Sequence, residues 1–195
     1  MNKKNHNERC RDCKQNFTDL LVATFGGVEV NWDLNIPCRL EELISSGLSD
    51  VLNPIYDALK QYRGFDHFVK ATKLPRVDYY IPSGGLIIEF DESQHFTKPR
   101  EITLSHYPHD LIVGFSVEKW KSLCLKLNKK DNDPPYRDEQ RAWYDTIRDF
   151  APTLLGAGKT IRLYARDDIW CSLDSKDESD LIRFNNFIMD RISNQ

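Results

Sequence analysis

The stretch "RVDYYIPSGGLIIEFDESQHF", residues 76–96, constrains the fold more than any other part of the chain. Two apolar runs flank Pro82-Ser83-Gly84-Gly85, whose residue types are those of a tight turn. With Ser83 and Gly84 as a two-residue hairpin loop, positions whose numbers sum to 167 lie opposite one another. Asp78 then faces Glu89, and strict alternation puts Asp91 on the same face. The other face carries Val77, Tyr79 and Ile81 against Phe90, Ile88 and Leu86. Slipping by one residue sets Asp78 against Phe90 and sends apolar groups to the wrong side, so the even register is expected.

Carboxylates in otherwise apolar strands are costly unless they are paired, hydrogen-bonded or bound to a cation. Two of them facing each other at ~5 Å between Cβ atoms repel without positive charge nearby. A hard divalent cation such as Mg²⁺ or Mn²⁺ answers this, since it takes one or two carboxylates and fills its shell with water and substrate phosphate. It also lowers the pKa of bound water and stabilises charge on a phosphodiester. The structural alternative is a solvated acidic face paired with Lys73, Arg76 or Lys98.

Elsewhere, "NFTDLLVATF" reads as a short helix stopped by Gly26-Gly27, and "CRLEELISSG" as another ending at Gly47. Asn53-Pro54 suits the start of a helix running to Gly64. "FDHFVKAT", "RVDYYI" and "GLIIEFD" are strand-like, and "DLIVGFSV" reads as a strand or a helix start. Residues 136–150 form an amphipathic helix with Tyr136, Trp143, Ile147 and Phe150 on one stripe. Its Arg137, Arg141 and Arg148 are balanced by Asp138, Asp145 and Asp149, which suggests pairing along a helix surface. "KTIRLYARDDIW" is a strand, and a last helix from Glu178 buries Leu181, Phe184, Ile188 and Ile192. The expected architecture is α/β, one mixed sheet flanked by helices, with an N-terminal tail and helical arm (1–48) before the main domain (49–195).

With 40% hydrophobic and 29% charged residues the profile is that of a globular domain, and no apolar run nears the ~20 residues of a membrane span. The N-terminus lacks the apolar core of a signal peptide, which points to a cytoplasmic setting. Five scattered cysteines argue against a disulfide framework. Cys10 and Cys13 form a CxxC that needs further ligands to hold zinc; His6 and Cys38 are candidates, and free thiols are the alternative. A net charge of −3 does not advertise nucleic acid, although a local basic face would suffice. Lys98, Arg100, Lys119 and Lys121 are the candidate phosphate contacts, with Lys126, Lys129 and Lys130 nearby.

"VDYYIPSGGLIIEFDESQHF" resembles the PD-(D/E)XK nuclease superfamily, nearest to its branch around the very-short-patch repair endonucleases, over about residues 50–150. The resemblance implies a restriction-endonuclease-like α-β-β-β-α-β order and a Mg²⁺- or Mn²⁺-dependent endonuclease acting on DNA, with RNA left open. It implies Asp78 and Glu89 as metal ligands, with the Phe90 carbonyl as a candidate third; Asp91, placed on the same face by alternation, is expected to assist. An acid on the first helix, Asp50 or Asp57, sometimes joins such sites. Where the common pattern has lysine two residues after the second acid, this chain has Asp91. His95 is the candidate to handle a proton in its place, with Gln94 positioning water or phosphate. A homodimer is left open, since cutting both strands often calls for two sites. The rival expectation is a nucleic-acid-binding or scaffold protein on a nuclease fold whose chemistry has lapsed.

Overall fold

The structure, a computed structural model, describes residues 8, 10–43, 47–156 and 158–193. Its elements are α1 (Arg11–Phe25), β1 (Glu29–Trp32), α2 (Leu40–Leu43), α3 (Ser49–Arg63), β2 (Val77–Ile81), β3 (Leu86–Asp91), α4 (Lys98–Ser105), α5 (Val117–Leu127), α6 (Arg137–Leu155), β4 (Thr160–Tyr164) and α7 (Glu178–Ser193). They build an α/β fold around one four-stranded sheet in the order β1-β2-β3-β4. The first three strands form an antiparallel meander, and β4 returns parallel to β3 after the long α6. A parallel return needs a crossover of this kind.

Next to the turn the hairpin register is the expected one: Tyr79 pairs with Ile88, Tyr80 with Ile87 and Ile81 with Leu86. Val77, however, departs from the expected face and packs in the core opposite Tyr79 and Ile81. The connection differs. Pro82–Gly84 make a 3-10 turn and Gly85 adopts a left-handed φ of 59°, so four residues rather than two link the strands. Because the extra residues are added symmetrically, the pairing is unchanged.

Helices cover both faces of the sheet. Tyr79, Ile81, Leu86, Ile88 and Phe90 pack with α1, α7 and Trp170 in one core. Ile87 faces a second core with Leu52, Ile55 and Leu59 of α3, Trp120 of α5 and Trp143, Ile147 and Phe150 of α6. Every residue of β3 and β4 is buried, as expected for central strands covered on both sides. On β3, therefore, the carboxylate-bearing face is not a solvated one, whereas Asp78 and Tyr80 of β2 are half-buried.

Three expectations are corrected. "FDHFVKAT" contains no strand; Phe68 is a fully buried anchor of the helical core, joined there by Phe65, Val69 and Ala71. The third strand is instead β1, in "VEVNW", whose period-two alternation was present but short. Residues 1–48 thus supply an edge strand and a covering helix of the same sheet. Helix α6 is no half-exposed surface helix, since fourteen of its nineteen residues, from Asp138 to Pro152, are buried. Helices α4 and α5 were not foreseen, although Thr97 before Lys98-Pro99 and Ser116 before Val117 cap them in the usual way. No helix among the described residues is long and apolar enough to cross a membrane.

Phe17 of α1 is fully buried, with ring centroids of Tyr79, Phe90, Trp170 and Phe184 at 5.2–5.5 Å. Phe17→Ala should cost about 3–5 kcal/mol in urea unfolding, whereas Val22→Ala, at an exposed position of the same helix, should change stability by less than ~0.5 kcal/mol. Equal effects would mean that α1 is not seated on the sheet.

Candidate functional site

At the end of the hairpin ladder the carboxylates take over from backbone pairing. The Phe90 N–H donates to Asp78 Oδ2 at 2.9 Å, and the Asp78 N–H donates to Glu89 Oε1 at 3.3 Å. Asp78 is half-buried and lines an open cleft of about 530 Å³. Arg11, Lys14 and Gln15 of α1 form one wall, and Glu92 and Gln94 stand beyond the end of β3.

Glu89 lies deeper, only 4% exposed. Burial raises its pKa to about 8; the nearby Arg148 charge opposes the rise, and Asp78 adds to it. Arg148 Nε is 3.4 Å from Glu89 Oε1 but makes no hydrogen bond. The rest of that guanidinium is engaged, donating to the carbonyls of Pro75 and Arg76 and to Asp145.

Asp91 has a different role from the one expected. Its Oδ1 accepts from Arg162 Nη1 and its Oδ2 from Trp120 Nε1, both at 2.7 Å, and the residue is 1% exposed. It is an interior partner of Arg162, not a group turned to a cation. Arg162 is itself fully buried and also donates from Nε to Asp149 Oδ1 at 2.6 Å. Its Nη2 meets the Asp145 carbonyl at 3.1 Å and Asp145 Oδ1 at 3.4 Å. Arg100 completes the set through Asp149 Oδ2 at 2.6 Å and the Tyr107 hydroxyl at 2.8 Å.

His95 sits at the edge of this network, with Nδ1 2.9 Å from Asp145 Oδ2 and 3.6 Å from Asp91 Oδ1. Burial works against its charge, yet the two carboxylates outweigh that and raise its pKa. Asp145 is also penalised by burial, but His95 and Arg162 hold it well below the usual carboxylate range. His95 lines a smaller cavity of about 210 Å³ shared with Arg137, Gln140, Arg141, Tyr144 and Arg148. Gln94 lies at the larger cleft, and its carbonyl accepts from Arg141 at 3.0 Å, so the Gln94-His95 pair joins the two openings.

The structure thus brings Asp78, Glu89, Gln94 and His95 to one end of β2 and β3. Among the described residues, Asp78, Glu89 and Asp91 do not converge as a three-carboxylate cluster. Arg100 is corrected outright: at 1% exposure, bound to Asp149, it cannot meet a phosphate. Lys98 is paired with Glu101, Lys119 with Asp167 and Lys121 with Glu118, so the basic residues there have acidic partners. Asp50 and Asp57 are exposed on α3 and do not line the cleft. Sequence reasoning missed Arg11, Lys14 and Arg162, and it placed Asp145 and Arg148 on a surface. One signal was available: Arg162 interrupts the apolar strand "TIRLY" much as Asp91 interrupts its own.

Comparison with protein-family models, with curated proteins and with solved structures finds no match for this chain.

The Glu89 value has a consequence for stability. Between the ordinary value of 4.5 and about 8 the folded chain keeps a proton that the unfolded chain has released. This contribution is therefore full below pH ~4.5 and is lost as pH rises through ~8. Glu89→Gln should flatten the decline in unfolding free energy over that window by up to ~1.4 kcal/mol per pH unit. Urea titrations at several pH values test this, and parallel curves for parent and variant would refute it.

Proposed function

We propose that this chain is a metal-dependent endonuclease that hydrolyses phosphodiester bonds, with DNA as substrate. The observation that carries the reading is the pairing of Asp78 and Glu89 across adjacent strands beside a cleft whose α1 wall presents Arg11 and Lys14. A mixed sheet in which β4 returns parallel to β3 after α6 accords with the nuclease resemblance, although α2 and α3 stand between β1 and β2 where the resemblance implies consecutive strands.

The donor set suits Mg²⁺ or Mn²⁺: two hard carboxylate oxygens on neighbouring strands, one open to the cleft. Asp78 and Glu89 would hold the ion, which when bound supplies an acidified water and charge stabilisation. A cation also offsets the cost of ionising Glu89 in its buried position. The chain's own residues account for the rest. Arg11 draws phosphate into the cleft, Lys14 joins it by exchanging its contact with Glu92 at 3.8 Å, and Gln94 orients groups along the lining. His95, whose pKa Asp145 and Asp91 raise against the effect of burial, is suited to handle a proton at a leaving oxygen. Arg148 provides the positive charge that the missing lysine would otherwise bring to Glu89.

A second reading is favoured by the same arginine. With Arg148 beside Glu89 and Asp91 committed to Arg162, the site is partly neutralised from within, as in a binding module whose chemistry has lapsed. Supercoiled plasmid, single-stranded DNA and RNA incubated with Mg²⁺ or Mn²⁺ separate the two. The nuclease should nick or cut at least one substrate, and Asp78→Asn and Glu89→Gln should each lower the rate at least ~100-fold. Retention of DNA without cleavage, unchanged in Asp78→Asn, would establish the binding module instead.

A further inference from the structure

We propose that Cys10, Cys13 and Cys171 bind a zinc ion that fastens the N-terminus of α1 to the segment following β4. The three Sγ atoms lie within 4.8 Å of one another. Cys10 is the residue before α1 and Cys13 stands in its first turn. That three-residue spacing puts both thiols on one side of the helix. Cys171 comes from the 3-10 turn Trp170–Ser172, far along the chain. Tetrahedral zinc–thiolate bonds of ~2.3 Å set sulfurs ~3.8 Å apart, so a contraction of ~1 Å at most completes the geometry.

The placement of the three sulfurs favours a metal over packed thiols. Cys13 is buried, but Cys10 and Cys171 are only half-buried, so burial of small apolar groups does not explain the trio. A disulfide between any two would leave the third thiol unused, whereas zinc engages all three. Cys13 also lines a cavity of about 500 Å³, together with Glu8 and Asp168, which leaves room for a water or a carboxylate as fourth ligand. Cys38 is not part of the group: it is buried in the opposite core, where its Sγ donates to the Ala71 carbonyl at 2.9 Å. His6 lies outside the described residues.

The clamp would act on the same helix that carries Arg11 and Lys14 to the cleft. Its link to catalysis rests on the nuclease reading; its zinc content does not.

The test uses the full chain, stripped with a chelator, kept reduced and titrated with Zn²⁺ alone against a chromophoric chelator. One zinc per chain is expected, and Co²⁺ in its place should give a sulfur-to-metal charge-transfer band in the near ultraviolet. Cys13→Ser and Cys171→Ser should lose both signals, and Cys38→Ser should keep them. If the Cys13 variant does not fold, Cys10→Ser at its half-exposed position provides the same comparison, with circular dichroism as the check on folding. No uptake of either metal by the reduced parent chain would overturn the proposal. So would uptake that survives in Cys10→Ser and Cys171→Ser.

Discussion

The buried Arg162 guanidinium is the interaction on which the arrangement of this molecule depends. From the centre of β4 it gathers Asp91 of β3 and Asp145 and Asp149 of α6. Asp145 and Asp149 are four residues apart, so they share one side of the helix. Arg100 of α4 closes the far end through Asp149, and His95 closes the near end through Asp145. Arg148 adds a contact to Asp145 Oδ1 at 3.3 Å, so three arginines and His95 face the three carboxylates. Burying such ions costs several kcal/mol each, and the cost is offset only when every partner is present and hydrogen-bonded. The network therefore tolerates one relative placement of β3, β4, α4 and α6, the placement that forms the crossover.

That requirement also divides labour among the acidic residues of the hairpin. Asp91 belongs to the interior, with both oxygens taken. Asp78, at the ladder's end, reaches the cleft. Glu89 lies between, buried enough to hold its proton near neutrality yet adjacent to Asp78 through the strand N–H groups. The proposed chemistry occupies only the open end of this series. His95 connects the two regimes, because the carboxylates that raise its pKa are themselves members of the ion network.

The opposite face of the sheet is organised by apolar contact. Phe17, Phe90, Trp170 and Phe184 hold α1 and the segment after β4 against β2 and β3. The three cysteines sit at the margin of that cluster. Seating α1 is what turns β1 and β2 into one side of a cleft, so the aromatic core and the proposed zinc clamp serve the same wall from two directions.

The hairpin and its register from Tyr79–Ile88 to Ile81–Leu86 were legible in the sequence, because turn chemistry and period-two alternation are local and a one-residue slip is heavily penalised. Helix α6, β4 and α7 were legible for the same reason, through their periodicity. The edge strand β1 was missed because its five-residue alternation is brief and "FDHFVKAT" competes in composition. The fates of the individual charges were not legible. Whether Asp91 meets a cation or Arg162, and whether Arg148 points to solvent or to Glu89, depends on residues ~60–70 positions away that the crossover brings together. Local pattern determined that the carboxylates gather at one end of the hairpin; long-range packing decided which of them remain free to act, since only burial and a specific partner distinguish a structural acid from an available one.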